Sequence, residues 1–381
     1  MIDERIWEGV AYLLDSYAEV RPGDDVVVAY TSDSSESAAW VSVALKMRGI
    51  VAKRVWMEPL HDPGFAERFS AALPSTIEAS RRLVIMTFER DTMSHTNKLL
   101  AALSKYDKDR YSVFRAISSG AEFFSEALCA SPADLSARNA ALLERLMSAK
   151  RLRITAPGGT DLRVALDSDR YRWISNRGIS RPGRTVILPA GEVATYPAAI
   201  EGILVADVAF NVNMITERDA RLHAHPVTVR VESGRAVSHE CSDPDTLRFL
   251  DECFGTHRAQ SVGELGFGTN FAVTAGIPSN SHVNERRPGV HLGFGQHNQR
   301  SAVVEYDCTI HLDLIARGGL VWVDDDPTPI DLENVTPSSC SHPTNFTDED
   351  VYSPEFDDLE IDDCCGVLTS GGIRLFCTPA S

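Results

Sequence analysis

The sequence predicts an α/β protein in which an N-terminal α/β domain with a mainly parallel sheet is followed by a β-rich C-terminal domain. Two observations lead to this fold class. Up to about residue 150, short apolar β-branched runs alternate with amphipathic stretches, as in parallel strands joined by helices. Beyond it, glycine becomes frequent, helical patterns become rare, and alternating strands meet at short turns, as in antiparallel hairpins.

The first domain, residues 1–150, is predicted to contain strands over 24–32, 52–58, 81–88 and 111–117. A helix over 33–49 has aspartate and serine residues at its start and ends at Gly49. Further helices are predicted over 92–106 and 133–150.

The second domain, residues 151–336, is predicted to be built mainly from strands. Hairpins are expected over 151–166, turning at Pro-Gly-Gly, and over 227–240, turning at Ser-Gly. A helix over 244–255 is the clearest exception. Residues 337–381 form an acidic, turn-rich C-terminal extension with a possible short hairpin near its end; it is predicted to be either a flexible tail or a small added lid.

Composition and charge exclude several classes of protein. The apolar content of 43% and charged content of 24% are typical of a soluble globular protein, and no apolar run approaches the roughly 20 residues of a membrane span. The first residues carry acids and no cleavage-site pattern, so we expect a cytoplasmic protein without a signal peptide. The net charge of −17 would repel a phosphate backbone, so nucleic acid is not expected as a partner.

The eight cysteines are predicted to be mostly reduced thiols, because they are dispersed and form no Cys-x-x-Cys pair. A zinc site built from Cys340, Cys364, Cys365 and Cys377 is conceivable, but their spacing matches no standard zinc motif.

The segment TIHLDL, residues 309–314, is predicted to be a strand that places His311 and Asp313 on one face, since side chains alternate along a strand. An imidazole and a carboxylate so placed could hold a divalent metal. The alternative is a hydrogen-bonded pair on a polar sheet face.

Three further residues share a similar setting. Glu264 and His291 are each followed by Leu-Gly-Phe-Gly, where glycine lets the backbone approach closely, and Glu192 stands in a Pro-Ala-Gly turn. A buried glutamate is costly unless positive charge meets it, which favours a metal site. Otherwise these residues lie at exposed strand ends.

Four blocks in order, LPAGEVATYP, VGELGFGTN, NERRPGVHLGFG and TIHLDL, resemble the aminopeptidase T/S family of metallo-aminopeptidases. The resemblance extends to about residue 336 and implies that family's fold, the thermophilic metalloprotease fold. It further implies a homodimer and two divalent ions, zinc, cobalt, manganese or iron, with Glu264 as the bridge. The implied metal ligands are Glu192, Glu264, His291, His311 and Asp313.

The sequence departs from this family at two places. Asn298 stands where a tyrosine is expected to stabilise the reacting carbonyl oxygen, and Arg286 and Arg287 stand where one lysine is usual. With Glu192 and Glu264, Asn298 completes the predicted catalytic set.

A second, weaker resemblance is to the 2,5-dihydroxypyridine ring-cleaving dioxygenases, which hold one Fe(II) through two histidines and a carboxylate. There a histidine takes the place of Glu264, so the ligand set follows the peptidase pattern. His291, His311 and Asp313 could still form such a triad.

The sequence therefore predicts a metal-dependent hydrolase of amide or peptide bonds, aminopeptidase-like, in which two ions activate water. The alternatives are an Fe(II) oxygenase or metal-dependent lyase acting on a small molecule, and a non-catalytic peptide- or partner-binding protein. Asp207, Asn211 and Asn213 are expected to line the cleft. The remaining histidines considered are expected at the surface or the rim of the pocket: His223, His225, His282 and His297.

Overall fold

The computed structural model describes residues 3–90, 94–181, 183–300, 302–343, 366–369 and 372–375. In this part of the chain the α-helices are α1 Glu4–Tyr12, α2 Ser35–Met47, α3 Phe65–Ala72, α4 Thr96–Leu103, α5 Pro132–Leu146, α6 Pro244–Phe254 and α7 His282–Arg286. The strands up to residue 206 are β1 Asp25–Thr31, β2 Lys53–Met57, β3 Leu83–Phe88, β4 Tyr111–Ala116, β5 Arg151–Thr155, β6 Asp161–Ala165, β7 Trp173–Asn176, β8 Thr185–Leu188, β9 Glu192–Thr195 and β10 Ala199–Ala206. The later strands are β11 Ala209–Val212, β12 Met214–Ile215, β13 Val227–Glu232, β14 Arg235–Glu240, β15 Val262–Gly268, β16 Gly289–Gly295, β17 His311–Arg317, β18 Leu320–Val323, β19 Ile330–Asp331, β20 Gly366–Thr369 and β21 Gly372–Leu375.

The first compact unit, residues up to Ala133 together with Gly178–Ala190, contains a five-stranded sheet in the order β2-β1-β3-β4-β8. Every neighbouring pair of strands is parallel. Strands β3 and β4 are buried along their whole length, as expected for a parallel sheet covered on both faces. The predicted parallel α/β unit is therefore confirmed.

The second compact unit, which among the described residues comprises 134–177, 191–343 with its gap at 301, 366–369 and 372–375, is built mainly from antiparallel sheets. A seven-stranded sheet has the order β14-β13-β10-β6-β5-β18-β19, and a six-stranded sheet has the order β11-β17-β16-β15-β9-β7. Both sheets contribute to one apolar core, which includes Leu162, Leu204, Leu265 and Leu314. The β-rich second half of the fold class is likewise confirmed.

Individual elements agree with the sequence patterns except at their ends. The predicted hairpins are β5–β6 and β13–β14, and the short hairpin foreseen near the C-terminus is β20–β21. Of the helix predicted over 92–106, the structure contains α4, Thr96–Leu103. The helix begins at Thr96 because His95 before it adopts a left-handed φ of 60°. The boundary near residue 150 and the separate extension over 337–381 remain predictions.

Two other sequence-based expectations concern only part of the described chain. None of its helices combines the length and the apolar character that crossing a membrane requires. The described cysteines, including Cys340, are free thiols. Cys364, Cys365 and Cys377 lie outside the described residues, so the zinc site stays untested.

Candidate metal site

The five predicted metal ligands lie on four neighbouring strands of the six-stranded sheet. Glu192 begins β9, Glu264 lies in β15, His291 lies in β16, and His311 and Asp313 lie in β17. Alternation along each strand sends the intervening apolar side chains to the core and leaves these five on the opposite face. The structure thus brings together side chains that are far apart in the sequence.

Glycines make room for this cluster. Gly266 pairs with His291 across the sheet, and Gly293 lies between Glu264 and Asp313. A Cβ on Gly266 would stand 2.0 Å from His291 Nε2, and one on Gly293 would stand 2.9 Å from Asp313 Oδ1. The glycines of the two Leu-Gly-Phe-Gly segments therefore leave room on this face of the sheet for the polar side chains to meet.

The side chains form two groups that share one carboxylate. Glu192, Glu264 and His291 make the first group, and Glu264, His311 and Asp313 make the second; in each, the potential ligand atoms lie within 4.8 Å of one another. His291 Nε2 is 3.0 Å from Glu192 Oε1 and 3.4 Å from Glu264 Oε1. His311 Nε2 is 3.1 Å from Asp313 Oδ1.

Two carboxylate oxygens in these groups fit a bound cation. Glu192 Oε1 and Asp313 Oδ1 are buried, yet neither accepts a hydrogen bond of standard geometry from the described residues. His311 Nδ1 lies 2.9 Å from the carbonyl oxygen of Gln296, so an Nδ1–H donor there leaves the Nε2 lone pair facing the carboxylates. This arrangement is typical of metal-binding histidines and suits a divalent ion.

The electrostatics of the cluster point the same way. Burial raises the pKa of Asp313 to about 7 and also raises the pKa of Glu192. Burial opposes a charge on His311, but Asp313, with Glu264, raises the pKa of this imidazole to about 10. Burial opposes a charge on His291 too, but Glu192 and Glu264 raise the pKa of this imidazole well above its usual range, so without an ion the two imidazoles hold protons that a divalent cation would replace.

The short helix α7 contributes side chains to the cluster that the sequence patterns did not indicate. Arg286 Nη1 lies 2.6 Å from Glu192 Oε2 and 2.6 Å from Glu285 Oε1. Burial raises the pKa of Glu285, but Arg286, followed by His282 and His291, brings it well below its usual range. The adjacent glutamate and arginines in NERR could have indicated this contribution. A helix of five residues, however, has too little periodicity to show which side chains point inward.

His282 was expected at the surface or the rim of the pocket. It is partly exposed, and burial lowers the pKa of its imidazole to about 4 in spite of the nearby Glu285 carboxylate. The imidazole therefore adds no positive charge to the cluster near neutral pH.

Two of the three residues expected in the cleft contact the cluster. Asn211 Nδ2 donates to Glu285 Oε2 at 2.8 Å and to Asp313 Oδ2 at 3.4 Å. Asn213 Oδ1 accepts from the backbone N–H of His311 at 2.9 Å. Asp207 instead accepts from the backbone N–H of Arg317, at the far end of β17.

Asn298 lies in the loop after β16 and is 3% exposed. Its Oδ1 accepts from Gln299 Nε2 at 2.7 Å, whereas its Nδ2 has no acceptor among the described residues. The amide thus retains a buried donor, and its catalytic role remains a prediction. His297 uses both ring nitrogens within the loop, with Tyr306 and Gln299, and His223 and His225 are exposed.

Asn139 of α5 holds the start of β9, and with it Glu192, in place. Its side chain is fully buried, and Nδ2 lies 2.9 Å from the carbonyl oxygen of Glu192 and 3.1 Å from that of Asn176. Its Oδ1 accepts from Thr269 Oγ1 at 2.5 Å.

Replacing Asn139 by alanine is expected to lower the free energy of unfolding by about 3 kcal/mol, because buried carbonyl groups lose their donor. Urea unfolding measures the change. The matched control is Asn334→Ala at an exposed turn, where the Asn334 side chain donates to Asp331 Oδ2 at 2.8 Å. Equal stability of the two variants would show that Asn139 does not support this strand.

Solved structures and a family profile show which known proteins this chain is similar to. The structure of 2,5-dihydroxypyridine dioxygenase from Pseudomonas putida KT2440 superposes with a TM-score of 0.60 at 16% identity, covering 87% of this chain and 97% of that one. Wild-type AmpT from Thermus thermophilus gives 0.53 at 15% identity, covering 86% and 97%. No curated protein is similar enough in sequence to count as a relative. The sequence profile described as NicX, 2,5-dihydroxypyridine 5,6-dioxygenase, matches residues 16–329.

This match corrects the predicted activity. The prediction of an aminopeptidase-like hydrolase is wrong, because the profile that matches most of the chain describes a dioxygenase. The resemblance to the aminopeptidase T/S family holds for the fold alone. The expectation of a small peptide or amide substrate rested on that activity. A homodimer, the cytoplasmic location and the absence of nucleic-acid and membrane partners stay predictions.

Proposed function

The chain belongs to the family of 2,5-dihydroxypyridine 5,6-dioxygenase, and on that premise we propose that it is a metal-dependent dioxygenase that opens the ring of a hydroxylated pyridine. With 2,5-dihydroxypyridine as substrate, both atoms of O2 are added across the bond between C5 and C6. C5, which carries a hydroxyl group, becomes a carboxylate, and C6 becomes a formyl group on the ring nitrogen. The observation that carries the proposal is the group of Glu264, His311 and Asp313, whose potential ligand atoms lie within 4.8 Å of one another; both carboxylates are buried and His311 is partly exposed.

We assign one Fe(II) to this group. Iron supplies the one-electron chemistry that lets O2 react with a closed-shell ring. The set has one histidine and two carboxylates, so Glu264 takes the place of the second histidine of the usual triad. Hard oxygen ligands suit Fe(II) and Mn(II), so Mn(II) serves as a redox-quiet probe of the same site.

The surrounding residues keep these ligands in position. Asn211 bonds Asp313 Oδ2 and so orients the carboxylate with Oδ1 toward His311. Asn213 and Gln296 fix the backbone and the ring of His311. Such contacts orient metal ligands before the ion binds.

The experiment that tests this function uses metal-free protein reconstituted anaerobically with Fe(II). We expect loss of the aromatic absorbance of 2,5-dihydroxypyridine, with one O2 consumed per substrate and both oxygen-18 atoms of labelled O2 in the product. Isomeric dihydroxypyridines and monohydroxypyridines in parallel define the substrate class. Hydrolysis of aminoacyl amides without any O2-dependent turnover would overturn the proposal.

Metal exchange gives a further expected outcome. Chelation should abolish O2 uptake, Fe(II) should restore it, and Zn(II) should bind without restoring it, because zinc has no redox chemistry. Metal content and O2 uptake measured on the same samples check this. Full activity of the zinc form would contradict an oxygenase.

A further inference from the structure

The cluster offers two positions for a cation, because its two groups share Glu264. The first position lies among Glu192, Glu264 and His291, and the second lies among Glu264, His311 and Asp313. We infer that Arg286 takes the role of an ion at the first position, so that the chain binds a single divalent ion at the second. The inference builds on the proposed function, since it concerns the metal content of the same site.

The geometry of Arg286 carries the argument. Its side chain is 5% exposed, and Nη1 lies 2.6 Å from both Glu192 Oε2 and Glu285 Oε1. A guanidinium stays protonated at any working pH, and its hydrogen bonds to carboxylates are charge-assisted. Arg286 therefore occupies one oxygen of Glu192 and neutralises charge that an ion at the first position would need.

Helix α7 holds this arginine in place. The carbonyl oxygen of Arg286 accepts from the backbone N–H of Asn270 at 2.9 Å. Asn284, fully buried, accepts from the backbone N–H of Ile277 at 2.7 Å, and Ser281 caps the helix by accepting from Val283. The backbone that carries the guanidinium is thus anchored on both sides of the helix.

The two positions also differ in the charged side chains around them. Glu192 and Glu285 are paired with Arg286, whereas Asp313 contacts no cationic side chain other than His311 among the ion pairs of the described residues. A second ion beside Glu192 would face the guanidinium across one carboxylate, in a buried place where repulsion between like charges is weakly screened. Glu264 and Asp313 together match the charge of one divalent ion.

Metal counting tests the inference. Metal-free protein is saturated with Mn(II), freed of excess by gel filtration and analysed for metal per chain, and titration calorimetry measures the affinity. Wild type should hold one ion. Arg286→Leu frees Glu192 and Glu285 and should hold two, with a larger rise of Tm on adding Mn(II).

The matched control is Arg287→Leu, which removes the next arginine along the chain. Arg287 pairs with Glu333 at 3.5 Å and contacts no carboxylate of the cluster in the described ion pairs. This variant should hold one ion.

Glu192→Gln keeps the inference testable if Arg286→Leu does not fold. It removes the carboxylate charge and leaves Arg286 in place, so we expect one ion with a Kd within about twofold of wild type. Two ions in wild type would overturn the inference, and so would a metal count reduced by Glu192→Gln or a single ion in folded Arg286→Leu.

The outcomes also separate this inference from the proposed function. One ion per chain without O2-dependent turnover would overturn the function and leave the role of Arg286 intact. Turnover of a hydroxylated pyridine by a chain holding two ions would support the function and overturn the role of Arg286.

Discussion

Replacing Asp313 by asparagine is expected to remove the bound metal and O2-dependent turnover together. The amide keeps the shape of the carboxylate but carries no negative charge, and Oδ1 is the buried oxygen that faces His311 Nε2 at 3.1 Å. Removing a partner of a metal ligand typically weakens binding about 10- to 100-fold, so losing a ligand itself should exceed about 100-fold. Asp313→Ala should do the same, since His311 loses its neighbour on that face. Calorimetry with Mn(II) and metal analysis measure both variants.

Stability distinguishes this effect from misfolding. The amide keeps the volume of the carboxylate, so metal-free Asp313→Asn should still unfold cooperatively in urea, although it loses the ion pair with His311 at 3.1 Å. The control is Asp161→Asn in β6, where a half-exposed carboxylate pairs with Arg153 at 3.1 Å. That variant should retain wild-type metal content. If Asp313→Asn binds Mn(II) as tightly as wild type, this group does not hold the ion.

Replacing Gly293 by alanine is expected to destroy the same site by a different route. The new Cβ would stand 2.9 Å from Asp313 Oδ1, Glu264 Cβ and His311 Cε1, closer than real carbon atoms approach. Overpacking of this kind costs about 1–3 kcal/mol, and the three side chains must move away from one another to relieve it. We expect lower stability and loss of Mn(II) binding in the same variant.

Gly120→Ala is the matched control for this substitution. Its Cβ would meet Glu122 Oε2 at 3.6 Å, an ordinary van der Waals distance. It should leave metal content unchanged. A Gly293→Ala protein that still binds one ion with wild-type affinity would show that the carboxylates need not come together at this glycine.

Sequence patterns anticipated the features of this protein that depend on local geometry. His311 and Asp313 lie on one face because strand alternation has a period of two, whatever the neighbouring strands do. The alternation of strands with helices indicated a parallel sheet, and the turns at Pro-Gly-Gly and Ser-Gly indicated hairpins. The five candidate ligands were singled out from a strand pattern and from glycine-rich turns, a resemblance implied the full ligand set, and their role in metal binding is still a prediction.

The residue types alone could not decide which activity the protein has. Both families that the sequence resembles, the metallo-aminopeptidases and the dioxygenases, use carboxylates and imidazoles on this fold. Both chemistries need a divalent ion held by nitrogen and oxygen ligands. The match of the family profile over residues 16–329 decided between them.

By itself, then, the sequence determined the fold class and the facing of individual side chains, which follow from contacts between residues near one another in the chain. Only the tertiary structure decided that Gly293 lies between Glu264 and Asp313, and that Arg286 reaches Glu192. Strand register and the docking of a five-residue helix depend on pairings between segments far apart in sequence, which no local period encodes. For that reason the arrangement of charge around the candidate ion, four buried carboxylates facing one guanidinium and the imidazoles of His291 and His311, became visible only in the folded chain.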